Sequence, residues 1–259
     1  MCRWLNIPRS SYYYKAVKPV SEAELEENIK AIFLESKARY GARKIKKCLE
    51  NEGIHLSRRR IRRIMHKLNL VSVYQKAAFK PHSKGKNVAA IPNHLARQFH
   101  QEKPLNALVT DLTYVRVGNS WAYVCLIIAL FNREIIGLSV GWHKTAELVK
   151  QAIQSIPYAL TKVKIFHSDR GKEFDNQLID DMLEAFGINR SLSQAGCPYD
   201  NAVAESTYRA FKIEFIHQET FQSLEELILK TKDYVHWWNY HRIHGSLNYQ
   251  TPMTKRVMI

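Results

Sequence analysis

Hydrophobic residues recur at helical spacing over the first 70 residues of the chain. The apolar positions of the first predicted helix share one face, and a capping box begins at Ser21. A second helix is predicted to end near Gly53, and Ser57 can cap a third over residues 58–68. Residues 1–70 are therefore predicted to form a small all-α module.

From residue 105 onward the pattern changes to strands and then to alternating helices and strands. The second strand is an almost continuous apolar run, which is typical of a strand buried on both faces. Strands are predicted at residues 107–117, 121–131, 134–140, 163–166 and 189–192, and helices at residues 145–160, 176–186, 200–217 and 223–240. Three antiparallel strands followed by helix–strand alternation is the order of the ribonuclease H-like fold. The sequence therefore predicts an α/β core with a mixed five-stranded sheet flanked by helices.

Hydrophobic residues show no regular helical or strand spacing between residues 71 and 104. Residues 80–87 are polar, basic and rich in turn formers, which predicts a linker that can also lie along DNA. The predicted organisation is a helix-turn-helix-like module at residues 1–70, a basic linker at residues 71–104, and a ribonuclease H-like core with a C-terminal helix at residues 105–259.

Net charge and cysteine usage narrow the choice of partner and compartment. Lys and Arg number 39 against 24 Asp and Glu, a formal net charge of +15, which favours a polyanion as partner. A membrane surface is the rival, but no apolar run reaches the ~18–20 residues of a spanning helix. The 4 cysteines form no Cys-x-x-Cys pair, and no signal peptide is recognisable at the N-terminus. We expect a cytoplasmic protein that joins the nucleoid when bound to DNA.

The third predicted helix is strongly basic. Its apolar residues keep helical spacing, and arginines occupy most other positions, namely Arg58, Arg59, Arg60, Arg62 and Arg63. Three short helices with a basic last one is the outline of a helix-turn-helix module, whose last helix enters the major groove. The alternative is a solvated basic face on a helical bundle. Contiguous arginines in a cationic chain favour DNA contact.

Three acidic residues lie in three separate motifs. Asp111 lies in Thr-Asp-Leu-Thr-Tyr, Asp169 in His-Ser-Asp-Arg-Gly, and Glu205 in Asp-Asn-Ala-Val-Ala-Glu-Ser, with 35 residues between the last two. In the predicted fold, these residues lie in the first strand, at the end of the fourth strand, and early in a helix that faces both. Two Mg²⁺ ions at a scissile phosphate need few, hard oxygen ligands, which three convergent carboxylates supply. The spacing is that of a DDE phosphoryl-transfer core.

Each acidic residue also has a purely structural interpretation. Asp111 interrupts a strand, where a lone buried charge is costly, but it could lie on an exposed strand face. Asp169 could cap the turn after its strand, at a sheet edge where ligands are also common. Glu205 shares a helix face with Lys212, two turns along, and the two could form a solvated pair. Taken together, the carboxylates are predicted as metal ligands and Lys212 as a cation for the DNA backbone.

Two histidines have expected roles in folding rather than in chemistry. His167 is expected to order the end of its strand, and His244 to dock the C-terminal helix, with DNA contact as the alternative for His244. The sequence contains no nucleophile elbow and no phosphate-binding P-loop, so triad-hydrolase and ATPase functions lack support.

The motifs together resemble the OrfB-type transposases of two-reading-frame bacterial insertion sequences. The run from Tyr40 to Ile45, which includes Arg43, and the basic third helix are similar to their integrase-type helix-turn-helix segment. The three acidic motifs, Lys212 and the stretch from Asn239 to Pro252 are similar to their retroviral-integrase-like catalytic core. The resemblance covers nearly the whole chain, with the blocks in the expected order.

The resemblance implies a DNA transposase that cleaves element ends and joins the freed 3′-hydroxyls to target DNA. Asp111, Asp169 and Glu205 would bind two Mg²⁺ or Mn²⁺ ions, Lys212 would hold DNA near the terminal base pairs, and Arg43 would join the other arginines on DNA. Implied partners are double-stranded DNA, further copies of the chain on DNA, and a partner or fusion from an upstream reading frame. A nuclease that does not join strands and a non-catalytic DNA-binding regulator or remnant are the alternatives.

Overall fold

The computed structural model describes residues 21–74, 91–194 and 197–258, together with residues 4, 8 and 13. The chain divides into two compact units, Met1–Ser72 and Val73–Ile259. The polar stretch at residues 80–87, which the sequence assigns to the linker, lies outside the described residues.

The described residues of the first unit form three helices, α1 (Glu22–Glu35), α2 (Ala42–Asn51) and α3 (Arg58–Lys67). The hydroxyls of Ser21 and Ser57 accept hydrogen bonds from the backbone N–H groups of Glu24 (3.1 Å) and Arg60 (3.2 Å), and so cap α1 and α3. The buried core of the unit comes from the apolar faces of the three helices and includes Leu25, Ile29, Ile45, Leu49, Ile61 and Ile64. The helical, helix-turn-helix-like character predicted for this region is confirmed.

The second unit is built on a mixed five-stranded sheet with the order β3-β2-β1-β4-β5. Its strands are β1 (Ala107–Val117), β2 (Ser120–Ala129), β3 (Ile135–Gly141), β4 (Ile165–Ser168) and β5 (Asn189–Leu192). The β1–β2 and β2–β3 pairs are antiparallel, whereas the β1–β4 and β4–β5 pairs are parallel. This is the ribonuclease H-like sheet that the sequence predicts.

Helices cover both faces of the sheet. They are α4 (Ala146–Gln154), α5 (Gln177–Ala185), α6 (Ala202–Glu214), α7 (Leu224–Tyr240) and α8 (Pro252–Val257). On one face, Phe211 of α6 and Trp238 of α7 join a buried core with Val109 of β1. On the other face, Val149 of α4 and Leu183 of α5 join a second core with the alternate residues of β1 and β2. None of the described helices is long and apolar enough to span a membrane.

Three helical segments differ from the prediction by more than a residue or two. Helix α4 ends at Gln154 because the Ser155 hydroxyl binds the Ala152 carbonyl (2.7 Å) and Pro157 follows, without an N–H group to continue a helix. The helix predicted at residues 200–217 is divided into a 3₁₀ turn, α6 and a second 3₁₀ turn. Helix α8 was not predicted, although Thr251 caps it and Pro252 occupies its first turn.

Residues 91–104, within the predicted linker, are part of the second unit and pack against its sheet. Leu95 is 1% exposed and belongs to the core under α6 and α7. Its backbone N–H donates to the Ser191 hydroxyl on β5 (3.1 Å). The Arg97 guanidinium donates to a carboxylate oxygen of Asp200 (2.7 Å). The described part of this segment is therefore packed against the unit that contains the sheet.

Candidate active site

Helix α6 docks on the side of β1 that β4 leaves uncovered. Strand β4 pairs with β1 only from Ala107 to Val109. Beyond that point, the Asn201 amide donates to the carbonyl of Thr110 (3.0 Å), and the Tyr208 hydroxyl donates to the carbonyl of Asp111. Asn201, just before α6, therefore satisfies a backbone oxygen of β1 that β4 does not bind. Tyr208, in the middle of α6, binds between the paired residues Asp111 and Leu126 of β1 and β2. Both contacts place α6 beside Asp111.

Asp111 is half-buried in β1, on the same strand face as Val109 and therefore toward α6. Its Oδ1 accepts a hydrogen bond from the backbone N–H of Leu112 (2.7 Å). Burial raises the pKa of Asp111 to about 7, and repulsion by Asp169 and, more weakly, by Glu205 adds to the increase. Asp169 and Glu205 thus both lie within electrostatic range of Asp111.

Asp169 follows β4 directly and lies at the carboxyl end of that strand. Its Oδ1 accepts a hydrogen bond from the backbone N–H of Gly171 (3.0 Å). Burial raises the pKa of Asp169, and the negative charge of Glu173 raises it further. Asp169 therefore caps the turn after β4, which is its structural interpretation from the sequence. The other oxygen of its carboxylate, Oδ2, takes no part in this hydrogen bond.

Glu173 is a further carboxylate beside Asp169 that the sequence analysis missed. It is 6% exposed and forms an ion pair with Lys144 (2.8 Å). A side chain at Gly171 would place its Cβ 2.3 Å from a carboxylate oxygen of Glu173, so only glycine fits there without displacing Glu173. The signal available in the sequence is a Gly two positions before an acidic residue, which is too common to be diagnostic.

Glu205 and Lys212 lie on one side of α6 and line the same open cavity as Asp111. The cavity has a volume of about 680 Å³, and Arg209 and His217 also contribute to its wall. The positive charge of Lys212 opposes the increase in the pKa of Asp111 that burial and the neighbouring carboxylates cause. The cavity thus combines carboxylates with basic side chains, as a site for a phosphate backbone and its metal ions requires.

The side chains do not form a ready-made metal-ligand cluster. Within residues 21–74, 91–194 and 197–258, no group of three or more His, Cys, Asp or Glu side chains could hold a metal ion as arranged here. One oxygen each of Asp111 and Asp169 accepts a backbone hydrogen bond, and Glu205 is exposed on its helix. Carboxylate oxygens are the ligands that a hard divalent cation prefers, although these side chains as arranged do not converge on one ion.

Both histidines have the structural roles expected from the sequence. His167 is fully buried, and its two ring nitrogens contact the hydroxyls of Ser191 (2.8 Å) and Ser193 (3.1 Å) on and after β5. Burial lowers the pKa of His167 to about 4, so the ring is neutral at neutral pH. His244 contacts the Arg242 guanidinium (3.1 Å) and the ring edge of Trp238, which docks the end of α7.

The predicted DNA-contacting arginines belong to the first unit, whereas the three carboxylates belong to the second. Arg58, Arg59, Arg62 and Arg63 on α3 are exposed, and so is Arg43 on α2. Arg60 differs from these arginines, because its guanidinium forms an ion pair with Glu22 of α1 (3.0 Å). The structure therefore divides the basic helix into exposed arginines and one that also joins two helices.

Comparison with known proteins agrees with this architecture. The HTH-like domain family matches residues 20–78, and two integrase core domain families match residues 101–198 and 186–252. The transposase for insertion sequence element IS904 of Lactococcus lactis subsp. lactis is 30% identical over 231 residues, which cover 88% of this chain and 91% of that protein. The chain belongs to the insertion-sequence transposases. The resemblance seen in the sequence motifs is thereby confirmed.

Another transposase and a viral integrase domain are also similar to this chain. The transposase for element IS629 of Shigella sonnei is 28% identical to this transposase over 263 residues, which cover 97% of this chain and 88% of that protein. Among solved structures, the catalytic core domain of HTLV-2 integrase in complex with magnesium has a TM-score of 0.47 and 14% identity. That similarity covers 59% of this chain and 97% of the viral domain.

Proposed function

We propose that this transposase cleaves DNA at the ends of an insertion element and joins the freed 3′ ends to target DNA. Asp111, Asp169 and Glu205 are the proposed catalytic residues and the proposed ligands of two Mg²⁺ or Mn²⁺ ions. The observation that carries the proposal is that Asp111, Glu205 and Lys212 line one cavity. Asp169 lies close enough for its negative charge to raise the pKa of Asp111. Carboxylates from two strands and one helix approach each other in this way where positive charge is to be bound.

The carboxylates and the bound ions have distinct tasks. Two divalent cations held there would activate the attacking oxygen and neutralise the charge that develops on the scissile phosphate. Binding them would require the side chains to converge more closely than they do without the ions. The hydrogen bonds from Leu112 and Gly171 orient the carboxylates of Asp111 and Asp169 before any ion binds.

The remaining side chains bind and position DNA. Lys212 and Arg209 supply positive charge in the cavity wall, where they would hold phosphates near the carboxylates. Arg43 and the exposed arginines of α3 would contact the double-stranded DNA of the element ends. We also propose that the protein acts as a homo-oligomer on DNA, together with a partner or fusion encoded by an upstream reading frame. Its proposed location is the cytoplasm, with association with the nucleoid when it is bound to DNA.

The test is cleavage and strand transfer by wild type and Glu205→Gln, with DNA carrying the element's own ends and Mg²⁺. Loss of one ligand charge should lower both activities by at least about 100-fold, since even groups that only support a metal ligand account for 10–100-fold. DNA binding, measured by gel shift in the same buffer, should persist. The matched control is Glu184→Gln, the same change at an exposed position of α5.

Each outcome separates the proposed function from an alternative. Wild-type cleavage activity in Glu205→Gln would exclude Glu205 as the third ligand. Asp200 is not a ready substitute, because its oxygens accept hydrogen bonds from Arg97 (2.7 Å) and the Gln194 N–H (2.9 Å). Cleavage without joining would indicate a nuclease. Neither activity, in the isolated chain or in fusion with the upstream frame, would indicate a DNA-binding regulator or remnant.

A further inference from the structure

We propose that Tyr114, Trp121, Arg116 and Lys212 form a stacking site for unpaired bases at a DNA end, here called the aromatic platform. The ligand is a short single-stranded DNA segment next to the cavity that contains Asp111. The nature of the ligand rests on the proposed function, since it assumes that DNA ends are brought to this cavity.

The platform is a pair of exposed rings in contact, with a cation on each ring. The Lys212 ammonium lies 5.4 Å from the ring centroid of Tyr114, and the Arg116 guanidinium lies 5.3 Å from that of Trp121. The two rings contact each other edge to face, with centroids 5.2 Å apart. Single-stranded nucleic acids bind to this combination, because bases stack on the rings while the cations attract phosphates.

The rings are exposed although burial would stabilise them. Tyr114 is 59% exposed and Trp121 is 47% exposed, whereas Val115 and Ala122, their neighbours on the same strands, are buried. Exposed aromatic surface that carries cations is poorly suited to a dry protein contact and well suited to an anionic, aromatic ligand. Duplex DNA does not offer the faces of its internal bases, so the surface favours unpaired ones.

The strand pairing holds the platform in place before any ligand binds. Arg116 lies directly opposite Trp121 in the β1–β2 register, so Tyr114 and Trp121 form a diagonal pair across the two strands. The turn between the strands is anchored, because the Gly118 N–H donates to the Phe221 carbonyl (2.9 Å). The Gly118 carbonyl in turn accepts a hydrogen bond from Arg116 (3.0 Å). Gly118 has a φ of +52°, which favours glycine at this position.

Lys212 connects the platform to the cavity. Its side chain lines the cavity together with Asp111 and Glu205, and its ammonium lies over the Tyr114 ring. A strand whose backbone passes the carboxylates at Lys212 therefore reaches the rings of Tyr114 and Trp121 within a few nucleotides. Stacking there would hold the end of a frayed DNA strand in a fixed position relative to the carboxylates.

The experiment compares two labelled DNA probes in EDTA, a blunt duplex and the same duplex with a short unpaired 3′ tail containing 2-aminopurine. Wild type should bind the tailed probe more tightly and quench the 2-aminopurine fluorescence. Tyr114→Leu and Trp121→Leu should each lower affinity for the tailed probe by about tenfold and leave the blunt probe unchanged, as expected from the loss of one stacked base. Quenching should fall in parallel.

Three sets of control variants make the result specific. Tyr114→Phe and Trp121→Phe keep a ring and should keep both tail preference and quenching. Tyr240→Leu removes an exposed ring (51% exposed) from α7 and should change neither. Arg116→Gln should lower the slope of log affinity against log salt by about 0.7 for the tailed probe, the amount for one single-strand phosphate contact.

Several results would overturn the platform. One is an equal affinity of wild type for both probes. In the leucine variants, the contradicting results are an unchanged preference for the tailed probe in both variants, or an equal loss of affinity for the two probes. In the phenylalanine variants, the contradicting result is a loss of quenching. Strand transfer measured with the same wild-type preparation tests the proposed function separately. Transfer without tail preference would refute only the platform. Tail preference without transfer, both in the isolated chain and in fusion with the upstream frame, would refute only the proposed function.

Discussion

Tyr208 joins three elements through one hydroxyl group. The hydroxyl accepts a hydrogen bond from the backbone N–H of Leu126 on β2 (2.6 Å) and donates one to the carbonyl of Asp111 on β1. The residue is buried, so water cannot replace either partner. Because Tyr208 lies one turn after Glu205 on α6, its hydroxyl also fixes the distance between two proposed ligands.

Tyr208→Phe should therefore destabilise the protein by about 1–3 kcal/mol, since it leaves two buried backbone groups without their partner. Urea unfolding monitored by circular dichroism measures this change. The control is Tyr240→Phe, which removes an exposed hydroxyl from α7. Equal unfolding midpoints for the two variants would contradict the role assigned to Tyr208.

Residues in short motifs can be recognised from the sequence, whereas residues whose roles depend on contacts with distant parts of the chain cannot. Asp111, Asp169 and Glu205 could be named from their motifs, because each motif is a short run of residues. Tyr208 could not, because its spacing fits an ordinary apolar helix face and its partners lie 82 and 97 positions away. Glu173 escaped notice for the same reason, since its partner Lys144 precedes it by a whole helix and a strand.

At the scale of elements, α3 combines the proposed DNA contact with packing of the first unit. Its apolar residues Ile61, Ile64 and Met65 enter the core of the first unit, and most of its arginines point away from that core. The exception is Arg60, which reaches Glu22 on α1. Charge alone does not separate these roles, because the five arginines of the helix look equivalent in the sequence.

Arg59→Gln and Arg62→Gln should each weaken DNA binding and lower the slope of log affinity against log salt by about one unit per lost phosphate contact. Arg60→Gln is the matched control on the same helix, and its slope should change less, because its guanidinium already pairs with Glu22. Fluorescence anisotropy at several salt concentrations provides the measurement. Unchanged slopes for both Arg59→Gln and Arg62→Gln would favour a merely solvated basic face.

The elements of the sheet unit were predictable because their periodicity is local. Strands β1 and β5 occupy the residues predicted for them, and β2, β3 and β4 differ by one or two residues at their ends. The errors have identifiable causes. Ser155 and Pro157 stop α4 early, and α8 is too short for a periodic pattern to stand out. Composition did not reveal that Leu95 is part of the core, since one apolar residue in a polar stretch carries no pattern.

At the scale of the whole sheet unit, one buried ion pair connects distant parts of the chain. Glu214, at the end of α6, is 0% exposed and binds the Arg242 guanidinium at 2.7 and 2.9 Å. Tyr234 of α7 donates to the same carboxylate (3.0 Å), and so does Tyr74. The guanidinium also lies 4.3 Å from the ring centroid of Trp238. The pair is buried but richly hydrogen-bonded, which makes it costly to break on one side.

Glu214→Gln should lower the free energy of unfolding by about 3–5 kcal/mol, because it leaves the positive charge of Arg242 buried without its counter-charge. Chemical denaturation provides the measurement, and Glu184→Gln is again a matched control at an exposed helix position. A loss below about 1 kcal/mol, the range typical of exposed ion pairs, would contradict a structural role for this pair.

The contacts of Tyr74 and Leu95 limit how such a gene can be shortened. An in-frame deletion at the start of the gene would remove the first unit and leave the second. A deletion that ends within residues 1–72 keeps the contacts of both Tyr74 and Leu95. A deletion that extends beyond residue 74 removes the hydrogen bond from Tyr74 to Glu214. One that extends beyond residue 95 also removes Leu95 from the core of the sheet unit. Deletion derivatives that persist as folded proteins should therefore begin well before the first strand.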